Sequence, residues 1–191
     1  MDNSLISKPT IFPQIQNKCH ELGFDMASDI PAGSLLRTLV ASKPKSHFLE
    51  LGTGIGASLC WMLDGMDTDS KMISIDNDPE LIETAKSFFG LDHRLSLICE
   101  DGEKWILSHN GGLFDLIFAD AWPGKYSCLD ETLRLLNAGG LYVIDDMLPQ
   151  PNWPEGHQEK VAGLLEYLNC REDLIITMMN WSTGVVVGTK R

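Results

Sequence analysis

The segment Glu50-Leu51-Gly52-Thr53-Gly54-Ile55-Gly56-Ala57-Ser58 sets three glycines at alternate positions after an apolar run. Glycines in such a place let the chain turn tightly and bring its backbone against a ligand. A helix starting there offers unpaired N–H groups to a carboxylate or phosphate, and Ser58 adds a hydroxyl. Asp76 lies about two dozen residues after Gly52, where a carboxylate can accept hydrogen bonds from both ribose hydroxyls of an adenosine. Asn77 adjoins it. Gly52, Gly54 and Ala57 also satisfy the dinucleotide fingerprint G-x-G-x-x-G/A, and the same glycines can serve helix–strand packing alone. These residues point to an adenosine ligand and leave its identity open.

The elements that must hold these residues follow from periodicity. An entry segment to about Lys45 carries two helices. Ile15, Cys19 and Leu22 share one helical face, and Leu35, Leu36, Leu39 and Val40 mark a second helix. Asp29 is its expected N-cap, with Pro31 in the first turn, and Lys43-Pro44 ends it. Strands are then expected over 47–51, 72–75, 95–99, 114–119 and 141–144. Between them fall helices over 58–63, from Asp78-Pro79 to Gly90, over 102–107, and over 129–136 with a stop at Gly139-Gly140. This alternation implies a parallel sheet with helices on both faces. Strands over 174–179 and 185–189 are joined by a connection too short for a helical crossover, so they must be antiparallel. The expectation is one domain over residues 1–191, with residues 1–45 packed on it as a helical segment.

Composition fits a globular chain of 191 residues, 43% hydrophobic and 22% charged. The N-terminus has no apolar signal-peptide core, and no apolar run approaches the roughly 18 residues of a membrane span. Five scattered cysteines without a CxxC pair favour reduced thiols and a cytoplasmic location over a disulfide frame or structural zinc. A formal net charge of −12 would repel phosphate backbones, so nucleic acid is a poor partner and a small molecule the better one.

Three features favour S-adenosylmethionine over NAD: two helices precede the first strand, Glu50 stands directly before the glycines, and the last strand is reversed. Glu50 can orient the loop or face the positive methionyl end of the ligand. Together with Asp76, the turn Glu100-Asp101-Gly102, the run FDLIFAD and the closing hairpin, the glycine segment resembles class I S-adenosylmethionine-dependent methyltransferases. The resemblance covers nearly the whole chain. It implies a Rossmann-like α/β fold with a seven-stranded, mostly parallel sheet and an antiparallel last strand, and it puts Asp101 and Gly102 near the adenine. Glu50, Gly52, Thr53, Gly54, Gly56, Ser58, Asp76, Asn77, Asp101, Gly102 and Asp120 form the expected cofactor set.

The C-terminal half, with Asp120-Ala121-Trp122, Lys125-Tyr126, Gly139-Gly140-Leu141 and Asp145-Asp146, is similar to the catechol and caffeoyl-CoA O-methyltransferase group, as is the approach through Met26, Asp29 and Gly33. That resemblance implies O-methylation of a small hydroxyl acceptor, with aromatic hydroxyls among the candidates. It also implies a divalent metal, Mg²⁺ first, on Asp120, Asp145 and Asp146, whose hard oxygens suit such an ion. The metal would bind two substrate oxygens and lower a hydroxyl's pKa. Without it, three clustered carboxylates would repel and one would take up a proton. Two departures stand out. Pro123 occupies the position of the group's usual lysine, with Lys125 two residues later, and Asp146 replaces the usual asparagine. Asp120 and Lys125 are the catalytic candidates; Lys125 is either a general base of depressed pKa or a surface lysine.

His20, His47, His93, His109 and His157 show no ligand spacing, His157 being the best placed for a site role. Trp122, Trp153 and Trp181 either wall an aromatic pocket or pack in the core. Residues 149–154 read as a loop beside the crevice, a lid or a plain connection. A homodimer is plausible from the resemblance alone. The alternatives are a catalytically silent S-adenosylmethionine-binding module and an NAD-dependent oxidoreductase.

Overall fold

A computed structural model describes residues 3–150 and 153–191. After a short 3₁₀ turn, helices α1 (Phe12–Leu22) and α2 (Ile30–Ala41) precede the sheet. Gly23 closes α1 in the left-handed region at φ 64°. Asp29 caps α2 as expected, its carboxylate accepting the Ala32 N–H at 2.9 Å. The alternating body follows as β1 (His47–Leu51), α3 (Ala57–Gly65), β2 (Lys71–Asp76), α4 (Pro79–Phe89), β3 (Leu95–Cys99), α5 (Gly102–Ser108), β4 (Phe114–Ala119), α6 (Leu129–Arg134) and β5 (Leu136–Ile144). The chain ends with α7 (His157–Asn169), β6 (Leu174–Met179) and β7 (Val185–Lys190).

The seven strands lie in the order β3-β2-β1-β4-β5-β7-β6. Strands β1 to β5 pair in parallel, and β7 is antiparallel to both β5 and β6. The expected Rossmann-like α/β sheet with a reversed last strand is therefore present. Strand order turns back between β1 and β4, the switch point beyond whose carboxyl ends such sheets bind ligands.

Alternation along the strands sends side chains to two cores. Phe48, Leu116 and Phe118 join Phe12, Leu36, Trp61 and Met62 on the face covered by α1 to α4. Leu49, Leu51, Ile117 and Tyr142 join Trp105, Leu133, Val161 and Leu164 under α5 to α7. Each such apolar side chain contributes about 1.5–3 kcal/mol when fully buried. Strands apolar on both sides need this double cover.

Two differences from the expected elements have physical causes. Helix α6 ends at Arg134, and Gly139-Gly140 lies inside β5 rather than stopping a helix. Leu136 already pairs with Phe114, and pairing resumes at Leu141 with Leu116, so the glycines form an irregularity in a longer strand. Helix α7 has no counterpart in the sequence reading, although Val161, Leu164 and Leu168 bury one face of it. Of the loop at 149–154, Pro151 and Asn152 lie outside the described residues. All five cysteines are free. Among the described residues, no helix is long and apolar enough to cross a membrane.

Candidate active site

The glycine segment connects β1 to α3 at the switch point. The N–H groups of Gly52 and Thr53 donate to the Ile75 carbonyl at 2.9 and 3.2 Å, tying the loop to the end of β2. Gly52 has φ 100°, and a Cβ there would stand 2.6 Å from the Asp120 carbonyl oxygen. Only glycine suits that conformation and that proximity. Asp76 reaches across, its Oδ2 accepting the Gly54 N–H at 2.8 Å and its Oδ1 accepting the Asp78 N–H at 3.0 Å. Each carboxylate oxygen keeps a further lone pair.

Gly52, Thr53, Gly54, Ser58, Asp76 and Asn77 line one cleft of about 300 Å³. A neighbouring cleft of about 250 Å³ is walled by Asp76, Asn77, Asp101, Gly102, Trp122 and Pro123. Asp101 faces that cleft while capping α5, its Oδ1 accepting the Lys104 N–H at 2.9 Å. Pro123, at the position of the expected lysine, is part of this wall.

Two members of the expected cofactor set lie elsewhere. Glu50 is fully buried beneath the loop. Ser58 Oγ donates to its Oε1 at 2.6 Å and Ser74 Oγ to its Oε2 at 2.5 Å, while Thr53 Oγ1 hydrogen-bonds Ser74 Oγ at 2.6 Å. Burial pushes Glu50 up to about 7. It orients the loop and reaches neither cleft, and the Ser58 and Thr53 hydroxyls are committed to this network. Gly56 also lines neither cleft. A Cβ there would meet the Phe89 ring at 2.6 Å, so its place is in helix packing.

A third cleft, about 420 Å³, opens beside the first. Asp120, Lys125, Asp145 and Asp146 line it with Trp122, Tyr126, Trp153 and His157. The aromatic wall is continuous, with Trp122 4.8 Å from Tyr126 and Trp153 4.6 Å from His157 between ring centroids. His157 Nε2 lies 3.3 Å from the Tyr126 hydroxyl. Burial, then the positive charges of Lys125 and Lys160, hold the imidazole below its ordinary pKa. Trp181 is not part of the wall; its Nε1 donates to the Pro31 carbonyl at 2.8 Å and it packs.

Lys125 is 5% exposed, so the surface-lysine reading does not hold. Its loop is fixed from below, the buried Tyr142 hydroxyl donating to the Gly124 carbonyl at 2.6 Å. Its Nζ donates to the Asp145 carbonyl at 2.5 Å. Burial lowers its pKa, and the charges of Asp120, Asp146 and Asp145 oppose that. Burial raises Asp120 well above the usual carboxylate range, with Lys125 pulling the other way. Asp145 is pushed up to about 6, again by burial first.

The three expected metal residues line one cleft but are not arranged as a metal-holding group. Among the described residues, no group of three or more His, Cys, Asp or Glu side chains is arranged to hold a metal ion. Ser28 Oγ donates to Asp120 Oδ2 at 3.3 Å. Asp145 Oδ1 accepts the Thr183 hydroxyl at 2.6 Å and the Asp146 N–H at 2.8 Å. Asp146 sits at φ 59°, a left-handed conformation that Asn and Asp tolerate best among non-glycine residues. Asp120 and Asp145 each commit one carboxylate oxygen to protein donors, and with no three-ligand group assembled the residues present do not fit a divalent ion.

The model of the O-methyltransferase family matches residues 7–174. The chain belongs to that family. An inferred O-methyltransferase of Mycobacterium ulcerans is 32% identical over 145 residues, which are 73% of this chain and 64% of that protein. An inferred caffeoyl-CoA O-methyltransferase of Arabidopsis thaliana is 29% identical over 156 residues, 75% and 67% of the two chains. The match to the mycobacterial relative thus spans just under two thirds of its length. Two solved structures share this O-methyltransferase fold. The Streptomyces achromogenes O-methyltransferase TomG, in complex with S-adenosylmethionine, has TM-score 0.83 at 22% identity, covering 97% of this chain and 92% of that one. The Bacillus cereus O-methyltransferase in complex with SAH has TM-score 0.83 at 16% identity, covering 98% and 93%.

Several site residues of this family member escape sequence reasoning. Ala27 and Ser28, next to the Met26 that the resemblance named, line both the glycine-loop cleft and the aromatic one from the α1–α2 connection. Thr183 comes from the closing hairpin, placed because the Leu148 N–H donates to its carbonyl at 2.8 Å. Only long-range pairing brings that turn to Asp145. Tyr126 carries part of the resemblance but is given no site role, since a single tyrosine carries no spacing signal.

Proposed function

We propose that this chain transfers the methyl group of S-adenosylmethionine to a hydroxyl oxygen of a small acceptor, with an aromatic acceptor suiting the cleft best. The observation that carries this reading is a shared wall. Met26, Ala27, Ser28, Asp120 and Ala121 line both the glycine-loop cleft and the aromatic cleft, so a donor in one meets an acceptor in the other. Family membership supports the same reaction.

The residues present fit an adenosyl ligand. The Gly52–Gly54 backbone forms a bare floor, Asp76 offers lone pairs to ribose hydroxyls, and Asn77, Asp101 and Gly102 wall the space for a base. When bound, S-adenosylmethionine supplies an electrophilic methyl: the acceptor oxygen's lone pair forms the O–C bond, the C–S pair returns to sulfur, and the hydroxyl proton leaves to solvent. The chain's part is positioning. Well-oriented pairs gain about 7–11 kcal/mol over free encounter. Trp122, Tyr126 and Trp153 would stack an aromatic acceptor while Asp120 and Lys125 face its oxygen.

The test is calorimetric titration of the full chain with S-adenosylmethionine and with NAD, followed by incubation with catechol-type phenols and mass analysis for a methylated product. Donor binding with product formation supports the proposal. Donor binding without product on a broad panel would make the chain a silent binding module. NAD binding without S-adenosylmethionine binding would make it an oxidoreductase.

A further inference from the structure

We propose that His157 makes the Tyr126 hydroxyl a hydrogen-bond donor to the acceptor, so that this chain selects aromatic acceptors carrying a second lone-pair oxygen besides the one methylated. The inference rests on the methyl-transfer reading above and deepens it by naming what the aromatic cleft recognises.

Tyr126 and His157 both line the aromatic cleft, and His157 Nε2 lies 3.3 Å from the Tyr126 hydroxyl. The other ring nitrogen, Nδ1, is buried with no hydrogen-bond partner among the described residues. The two neutral tautomers are therefore unequal. A proton on Nδ1 would leave a buried N–H without an acceptor. Nδ1 is also the nitrogen nearer the backbone, and His157 opens α7, whose first-turn N–H groups make a positive field. Lys125 and Lys160 add positive charge at the same ring, opposed by Asp146. Such a field suits a lone pair at Nδ1 and puts the proton on Nε2, the tautomer an unperturbed histidine side chain also favours. Nε2 then donates to the Tyr126 oxygen. Among the described residues that hydroxyl has no other partner, so its own proton is left for a ligand.

The pair is built to keep these roles. Burial pushes the Tyr126 phenol up to about 12, with Asp146 adding to the shift, so it stays protonated and able to donate. Burial holds His157 below its ordinary pKa, so it stays neutral. Trp122, 4.8 Å from Tyr126, and Trp153, 4.6 Å from His157 between ring centroids, fix both rings. A hydroxyl that already accepts is a stronger donor, because linked hydrogen bonds polarise one another. Its partner in the cleft must offer a lone pair. An alkoxy or carbonyl oxygen on the acceptor supplies one, whereas an ethyl group of similar size leaves the Tyr126 proton unpaired. No proton is transferred: Tyr126 binds the acceptor, and His157 is a positioning residue that acts through it.

The experiment has two arms. The first is nitrogen NMR of the full chain with isotope-labelled histidine, at alkaline pH where imidazole is neutral, with the His157 signals assigned by their loss in His157→Gln. His157 should show a protonated Nε2 and a bare Nδ1; a protonated Nδ1 overturns the inference whatever the chain catalyses. The second arm is calorimetry, with S-adenosylhomocysteine present, on methoxyphenols and the ethylphenols of matching substitution. In wild type at least one methoxy isomer should bind about five- to tenfold more tightly than its ethyl counterpart. Tyr126→Phe should abolish that ratio. His157→Leu should reduce it, and His157→Gln, which keeps an N–H at the ε position, should restore most of it. A wild type without the preference, or an unchanged preference in folded Tyr126→Phe or His157→Leu, overturns the inference. If the variants do not fold by thermal melting, the NMR and the wild-type ratio decide alone. A wild type that binds S-adenosylmethionine yet methylates no phenol overturns the methyl-transfer reading instead, and the tautomer result stands apart from it.

Discussion

Ser58 Oγ donates to Glu50 Oε1 at 2.6 Å, so the first turn of α3 is tied to the end of strand β1 by a carboxylate with no access to solvent. The glycine loop spans the residues between these two anchors.

That buried acid makes stability depend on pH. Burial raises Glu50 from its ordinary 4.5 to about 7, so between those values the folded chain keeps a proton that the unfolded chain has lost. Its contribution is fully present below 4.5 and is lost as pH rises to about 7. Glu50→Gln should remove this component, flattening the pH dependence of stability across that window by on the order of 3 kcal/mol. Urea unfolding of both proteins from pH 4.5 to 8 measures it; parallel curves would show that Glu50 does not titrate there.

Asp76 serves two masters, the Gly54 N–H and the proposed ribose. Asp76→Ala should weaken S-adenosylmethionine binding by about 10–100-fold, the loss of one or two charge-assisted hydrogen bonds. Asp76→Asn, which keeps one acceptor oxygen, should lose less. Calorimetry reads both, and unchanged affinity in Asp76→Ala would remove the ribose role.

Gly52→Ala combines a strained φ with a Cβ pressed on backbone. It should cost about 1–3 kcal/mol of folding stability and weaken donor binding in the same variant. A stable Gly52→Ala with wild-type affinity would mean that the loop has room the present geometry denies.

Trp153→Ala should separate the two ligands. The ring lines the aromatic cleft and not the glycine-loop cleft. The KM for a phenolic acceptor should rise about tenfold, with S-adenosylmethionine affinity unchanged. A matched fall in donor affinity would place Trp153 in the wrong cleft.

The sequence made the scaffold legible because its signals are local. Gly52 to Ser58, Asp76 and the apolar strands each announce themselves within a few residues, and Asp29 capped the helix its type and position implied. What failed was set by distance in the chain. Nothing near Gly139-Gly140 separates a helix stop from an irregular strand; the choice depends on Phe114 pairing with Leu136. Helix α7 carried a readable stripe in Val161, Leu164 and Leu168, yet no site motif drew attention to it. Lys125 looked like a surface residue because burial is a tertiary property. The roles of Glu50, Gly56 and Thr183 likewise depend on Ser74, Phe89 and Asp145, partners from other elements.

Asp120 and Ala121 line the glycine-loop cleft and the aromatic cleft alike, directly after the central strand β4, and so would meet both the proposed donor and the proposed acceptor. A change there cannot be tuned for one ligand while sparing the other, and paired substitutions at these two positions should not add. Divergence toward new acceptors is therefore channelled to residues that see only one ligand, Tyr126, Gln150, Trp153 and His157, leaving the end of β4 as the part of the catalyst least free to drift.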